Sequence, residues 1–154
     1  MIARIAGLVS KLYALLTRFE CFPILLARAA LGIGFTLTGH GKLFKTHSDV
    51  VSFFTGLGIP MPAFNAWFVG GVEFFGGMLL VVGLATRPIA FMLSFTMLIA
   101  TLTTTLPKEG FLGSLLTTEV LAMLMLLWLV FSGPGAVSLD RLIARKFAPS
   151  KPPA

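Results

Sequence analysis

Four ionisable residues, Arg28, Lys42, Glu73 and Glu119, stand inside stretches that are otherwise apolar. Glu73 is the plainest case. In FNAWFVGGVEFFGGMLLVVGLA, residues 64–85, only it and Asn65 are neither apolar nor glycine. An ion facing lipid at the bilayer centre costs about 2.5–3.5 kcal/mol on insertion scales. Side chains of these types are therefore expected to face one another, a ligand or a proton path. Two are cations and two are anions, so a shared interior would give each an opposite charge. Such a group could do two kinds of chemistry. A carboxyl at Glu73 could pass protons, and the cations could donate hydrogen bonds to a carbonyl-bearing or anionic ligand. Glu73 and Arg28 are the candidate catalytic residues. Arg28, Lys42, Glu73 and Glu119 together are the candidate ligand-binding set.

The elements that must position them are membrane helices. Apolar residues make up 56% of the chain and charged residues 12%, about half the charged share of a soluble domain. Mean hydropathy is +0.95. The 154 residues allow one domain. A span needs about 20 mostly apolar residues, and candidates lie at 23–44, 64–84, 88–106 and 111–131. The third reads as stopped by Pro107 and the fourth by SGPG. The fold class is thus all-α: an integral membrane four-helix bundle over residues 21–136, with amphipathic interfacial helices at both termini. The first of these covers 1–20, where Ile2, Ile5, Leu8, Leu12, Leu15 and Phe19 recur at helical spacing among Arg4, Lys11 and Arg18. The second lies within 137–154, where Leu139, Leu142, Ile143 and Phe147 alternate with Asp140, Arg141, Arg145 and Lys146. The closing APSKPPA predicts no fixed structure.

Helical spacing aligns the charges. Arg28, Gly32, Phe35, Gly39 and Lys42 form one stripe, and Gly70, Glu73, Gly77 and Leu80 another. Glycines beside a charge let helices approach and bury it. Glu119 shares a face with Met123 and Leu126, and Met97, Ala100 and Thr104 form a small and polar face on the third span. Counted from the cytoplasmic side, Arg28 falls at ~8 Å, Glu73 at ~16 Å, Glu119 at ~18–20 Å and Lys42 at ~28 Å. Helical side chains lean toward their own N-terminus, which brings Lys42 and Glu73 together and points Arg28 away unless its long side chain turns back. A loose relay through all of them, rather than one tight pair, is expected. The bland alternative is that paired charges only fix helix register.

Basic residues set the orientation. Arg4, Lys11, Arg18, Arg87, Arg141, Arg145, Lys146 and Lys151 fall on one side, against Lys42, Lys45 and Lys108 on the other. The positive-inside rule then places both termini in the cytoplasm. No basic run suits nucleic acid. Cys21 is the single cysteine, so the chain has no disulfide and no dithiol couple. His40 and His47 fall at or beyond one helix end, poor geometry for a haem, and no metal site is expected. Any electron chemistry needs a bound quinone or a partner, since the chain carries no redox cofactor of its own.

The segments LLARAALGIGFTLTGHGKLF, GLGIPMP, VEFFGGMLLVVGLATRPIA and GPGAVSLDRL, in this order and spacing, resemble the DoxX family of small bacterial membrane proteins over residues 23–142. Arg28, Gly39 with Lys42, Glu73 with Gly77, Gly83 with Thr86 and Arg87, and Ser138 with Leu139 and Asp140 match its motifs. Glu119 has no counterpart in them. The resemblance implies four spans in a bacterial inner membrane. It also implies a redox association, because some relatives are linked to thiosulfate:quinone oxidoreductase activity and others to membrane-anchored complexes that handle oxidative stress. The expected role is a redox-associated inner-membrane subunit of a quinone-linked oxidoreductase. It would bind quinone or anchor a soluble oxidoreductase through the Arg/Lys/Glu cluster. Whether it is itself an enzyme stays open. The alternatives are a small proton-coupled transporter and a ligand-free membrane scaffold. The expected partners are the lipid bilayer, a soluble oxidoreductase and a second copy of the chain.

Overall fold

Pro23, Pro62 and Pro107 each stand near the start of a helix, where a missing N–H leaves no hydrogen bond unmade. The computed structural model describes residues 21–147. The helix expected at 1–20 and the tail from 148 lie outside the described residues. Helix α1 (Cys21–His40) runs directly into a π-helical turn (Gly41–Lys45). A short helix α2 (His47–Gly56) follows, inside what reads in sequence as a long loop. Helix α3 (Pro62–Val82) leads through a tight turn into α4 (Thr86–Ala100). A second π-helical turn (Thr101–Thr105) joins α4 to α5 (Leu106–Ser114). Helices α6 (Thr118–Ser132) and α7 (Leu139–Phe147) complete the order. Among the described residues there is no strand.

α1 packs along α3 and α4 along α6, while α3–α4 and α1–α6 contacts close the ring. The result is an all-helical four-helix bundle. Its core holds Phe35, Leu80, Ala90, Leu93, Leu126 and Leu129. The outer faces carry Leu37, Phe68, Phe75, Phe91, Phe95 and Phe131, all more than half exposed. Apolar coverage on this scale suits acyl chains rather than water. Segments Phe22–Lys45, Pro62–Val82 and Thr86–Ser114 are long and apolar enough to cross a bilayer.

The third and fourth spans differ from the sequence reading. Pro107 does not end the third helical run. It sits in the first turn of α5, just beyond the Thr101–Thr105 π-turn, and the helical path continues to Glu109 before Gly110 (φ 68°, ψ 179°) breaks it. Residues 111–114, expected to open the fourth span, form a separate turn ahead of it. α6 starts only at Thr118, after Thr117 turns extended (φ −80°, ψ 156°) and its hydroxyl donates to the Ser114 carbonyl. α6 has 15 residues, the same as α4, but no π-turn extends it, so at about 22 Å it is the short member of the bundle. Glu119 falls in its first turn, where the positive end of the helix dipole favours a carboxylate.

Candidate functional site

Glycine brings α1 and α3 into backbone contact. A Cβ at Gly39 would collide with the backbone of Phe74, and one at Gly77 would lie 2.5 Å from the Thr36 nitrogen and 2.7 Å from the Gly32 carbonyl oxygen. This antiparallel register sets Lys42 against Gly70, three residues or ~4.5 Å beyond Glu73 toward the α2 end. Each side chain leans toward its own helix N-terminus, so the two lean toward each other. Lys42 Nζ donates to Glu73 Oε1 at 2.6 Å. Glu73 is 1% exposed, while the Lys42 side chain keeps 32% of its surface. Glu73 Oε2 is buried with no hydrogen-bond partner among the described residues. A buried acceptor left unfilled costs about 1–3 kcal/mol.

The pair lines a cavity of about 470 Å³ between α1, α3, α4 and α6, within the range that holds a small organic ligand. Phe35 and Thr38 of α1, Met97 of α4, and Ala122 and Met125 of α6 form apolar and hydroxyl-bearing walls. Glu119 faces the same cavity from α6. It is half-buried. The π-turn at Gly41–Lys45 carries Lys42, and the one at Thr101–Thr105 follows Ala100, which also lines the cavity. Such turns occur often at functional sites. A second hollow, of about 380 Å³, lies between α3 and α4, with Trp67, Phe68, Phe75 and Met92 in its lining. It contains no ionisable group and offers only packing.

Arg28 is not in this site. It is 2% exposed and sits near the α7 end of α1. Its Nη1 donates to the Pro134 carbonyl and its Nη2 to the Val137 carbonyl at 2.6 Å. Gly32 lies against Val81 and Arg28 is a further turn along, so about 18 Å of helix axis separates it from Glu73. The expected relay from Arg28 to Glu73 does not form. The guanidinium points along its intrinsic lean and fills the carbonyls of the GPGAV segment. It belongs to a lock at that end. Gly83 (φ 72°) caps α3, and a Cβ there would lie 2.5 Å from Arg28 Nη1. The Asp140 carboxylate accepts from the Ala85 and Thr86 amides at 2.7 and 2.9 Å, capping α4. The Asp140 amide donates to the Gly83 carbonyl at 3.0 Å. Buried Ser138 accepts from the Arg141 amide at 3.3 Å. The signal for this lock was present in sequence: a Gly/Pro-rich segment has carbonyls without helical partners, and a five-donor side chain stands at the same depth.

The remaining candidates scatter. Phe35 walls the cavity, whereas Trp67 borders the outer hollow and Phe74 packs tilted against His40 and edge-on to Phe44. His40 ends α1 and His47 begins α2, its ring 4.5 Å from that of Trp67. No three His, Cys, Asp or Glu side chains converge on a metal-sized point among the described residues.

The family model DoxX matches residues 23–106. The Bacillus subtilis (strain 168) protein named "Putative oxidoreductase CatD" is 31% identical over 119 residues, 77% of this chain and 85% of that protein. The Escherichia coli (strain K12) inner membrane protein YqjF is 30% identical over 131 residues, 84% of this chain and 98% of its own. An uncharacterized membrane protein of Mycobacterium tuberculosis is 31% identical over 134 residues, 80% of this chain and 82% of its own. No solved structure matches.

Proposed function

The chain belongs to the DoxX family of membrane proteins, and on that premise we propose that it is a redox-associated inner-membrane subunit that binds a quinone in the Lys42–Glu73–Glu119 cavity. The observation that carries this reading is the unfilled Glu73 Oε2 beside Lys42 in the wall of a cavity of about 470 Å³. A quinone headgroup is apolar on its faces and polar at two opposed points. Phe35 and Met97 suit the faces. Lys42 has donors left after its bond to Glu73. The oxidoreductase name borne by the B. subtilis relative points toward redox work. Both termini are cytoplasmic in this reading, from the distribution of Lys and Arg. Electrons would reach or leave the quinone through a soluble partner docked at the membrane.

The test is purification of the full chain from its own membrane in mild detergent, followed by extraction and chromatography of bound quinones. Near-stoichiometric quinone, counted in both redox forms, is expected, with the amount falling at least about tenfold in Glu73→Leu protein that stays monodisperse. Absence of quinone alongside a co-purified soluble oxidoreductase would replace ligand binding by anchoring.

A second reading gains from the position of Arg28. With that cation held at the α7 end by carbonyls, the cavity sets two carboxylates against one ammonium, a balance that also suits a proton-coupled transporter. In proteoliposomes, substrate-dependent dissipation of a pH gradient that is lost in Glu119→Gln would favour transport.

A further inference from the structure

We propose that this cavity selects the hydroquinone form of the couple over the quinone, an inference that rests on the quinone-binding reading above. A quinone presents two carbonyl acceptors. Its hydroquinone presents two hydroxyl donors. The two forms share a ring and a tail, so the wall's inventory of donors and acceptors decides between them.

That inventory is weighted toward charged acceptors; its available donors are the two N–H groups left on Lys42 and the hydroxyl of Thr118, which donates or accepts alike. Lys42 is the cationic donor in the lining, and one of its three N–H groups is committed to Glu73 Oε1. The Thr38 hydroxyl is turned onto the carbonyls of Gly34 and Phe35, each at 3.1 Å. Arg28, the other donor expected from sequence, spends its two terminal nitrogens on Pro134 and Val137. On the acceptor side stand Glu73 Oε2, buried and unpartnered, and both oxygens of Glu119, for which no hydrogen bond or ion pair is formed among the described residues. Glu119 sits in the first turn of α6, where the helix dipole supports a carboxylate. A ring with an O–H directed at Glu73 Oε2 fills the buried vacancy. A ring with a carbonyl there sets two acceptors against each other and leaves both unfilled. One hydrogen bond to a charged group corresponds to about ten- to a hundred-fold in affinity, and that is the preference expected.

The experiment uses the full chain in lipid nanodiscs. Three probes with the same decyl tail are titrated under anoxia: a substituted benzoquinone, its hydroquinone, and the hydroquinone dimethyl ether. The hydroquinone is expected to bind about ten- to a hundred-fold more tightly than the other two. In Glu73→Gln the preference should shrink to within about threefold, because an amide donates to a carbonyl as readily as it accepts from a hydroxyl. In Glu119→Gln, which disturbs no hydrogen bond in the fold, it should shrink partway, so the inference survives any folding defect at position 73. Quinone and hydroquinone binding equally, or quinone binding more tightly, would overturn the preference and leave the quinone site standing. Failure of all three probes to bind would remove the site and the preference together.

Discussion

Lys42 and Glu73 form one ion pair, yet they should not be equally costly to remove. Replacing Lys42 by Met leaves a carboxylate that is 1% exposed with both oxygens unpaired. Breaking a buried pair from this side is expected to cost about 3–5 kcal/mol. Replacing Glu73 by Gln leaves an amide oxygen that still accepts from Lys42. It also leaves an ammonium with 32% of its surface exposed, able to turn toward the headgroup layer. That change should cost about 1–2 kcal/mol. The double variant Lys42→Met with Glu73→Gln buries a neutral amide and no charge, at about 1–3 kcal/mol. The double variant should therefore be more stable than Lys42→Met alone, with a coupling of about 2 kcal/mol or more. The assay is reversible unfolding in mixed micelles, followed by helicity and by fluorescence of Trp67 and Trp128. Equal losses for the two single variants, or losses that add in the double, would refute the claim that Glu73 is the buried partner and Lys42 the accessible one.

Other expected outcomes concern the frame around the site. Gly39→Ala and Gly77→Ala should each cost about 1–3 kcal/mol, because the new methyl meets backbone on the facing helix. Gly71→Ala, which meets nothing within 4 Å, should be neutral or gain up to about 1 kcal/mol; unfolding of all three variants in one series checks the contrast. Arg28→Lys should lower stability by about 1.5–3 kcal/mol, since a single ammonium cannot reproduce the fork onto Pro134 and Val137. It should leave quinone and hydroquinone affinities within about twofold, and a larger change would return Arg28 to the site. Asp140→Ala removes the cap on Ala85 and Thr86 and should cost about 0.5–2 kcal/mol, read as earlier proteolysis or hydrogen exchange at the α3–α4 turn.

Much of the bundle follows from sequence because lipid imposes one simple demand, continuous apolar helices of sufficient length. The two glycine stripes were legible for the same reason. Gly32, Gly39, Gly70 and Gly77 are all buried in the α1–α3 contact, at the spacing that places small residues on one face. That Lys42 and Glu73 lean toward each other was legible from helix direction, but the depths read from sequence kept them ~12 Å apart, and the tight 2.6 Å pair corrects the loose relay expected there. Arg28 was harder. Its lean toward the α7 end could be read from sequence, and the Gly/Pro-rich segment signalled free carbonyls there, but which of them it would meet could not. Its partners are carbonyls of Pro134 and Val137, more than a hundred residues away and featureless as letters. The ends of the third and fourth spans were also hidden. Pro107 reads as a stop, yet a π-turn before it carries the helical path on past it, and the hydropathy of Phe111 to Leu116 does not reveal which helix owns it. Glu119 was visible as a charge. Its face differs from the one read in sequence: spacing grouped it with Met123 and Leu126, and the cavity wall sets it with Ala122 and Met125.

A pure register device would look different from what these charges build. At the α7 end, Arg28 and Asp140 do behave that way: two guanidinium nitrogens meet carbonyls, both carboxylate oxygens meet amides, and the loop is pinned to two helices. That lock already fixes the register of α1 against α3, and the glycine contacts from Gly32 to Gly39 fix it again along the helix axis. A third device at Lys42 and Glu73 adds nothing to the register. It costs the burial of an ion pair, which hydrophobic side chains of the same size would match or improve upon. It also leaves Glu73 Oε2 unfilled beside an empty volume into which Glu119 projects a further unpaired carboxylate. Stability selects against both features, and packing explains neither. Arg28 Nε and Thr86 Oγ1 at the α7 end are also buried without partners among the described residues, but neither lines the cavity. Glu73 Oε2 does, and an acceptor left open where a ligand can reach it is best understood as reserved for a molecule that brings its own hydrogen.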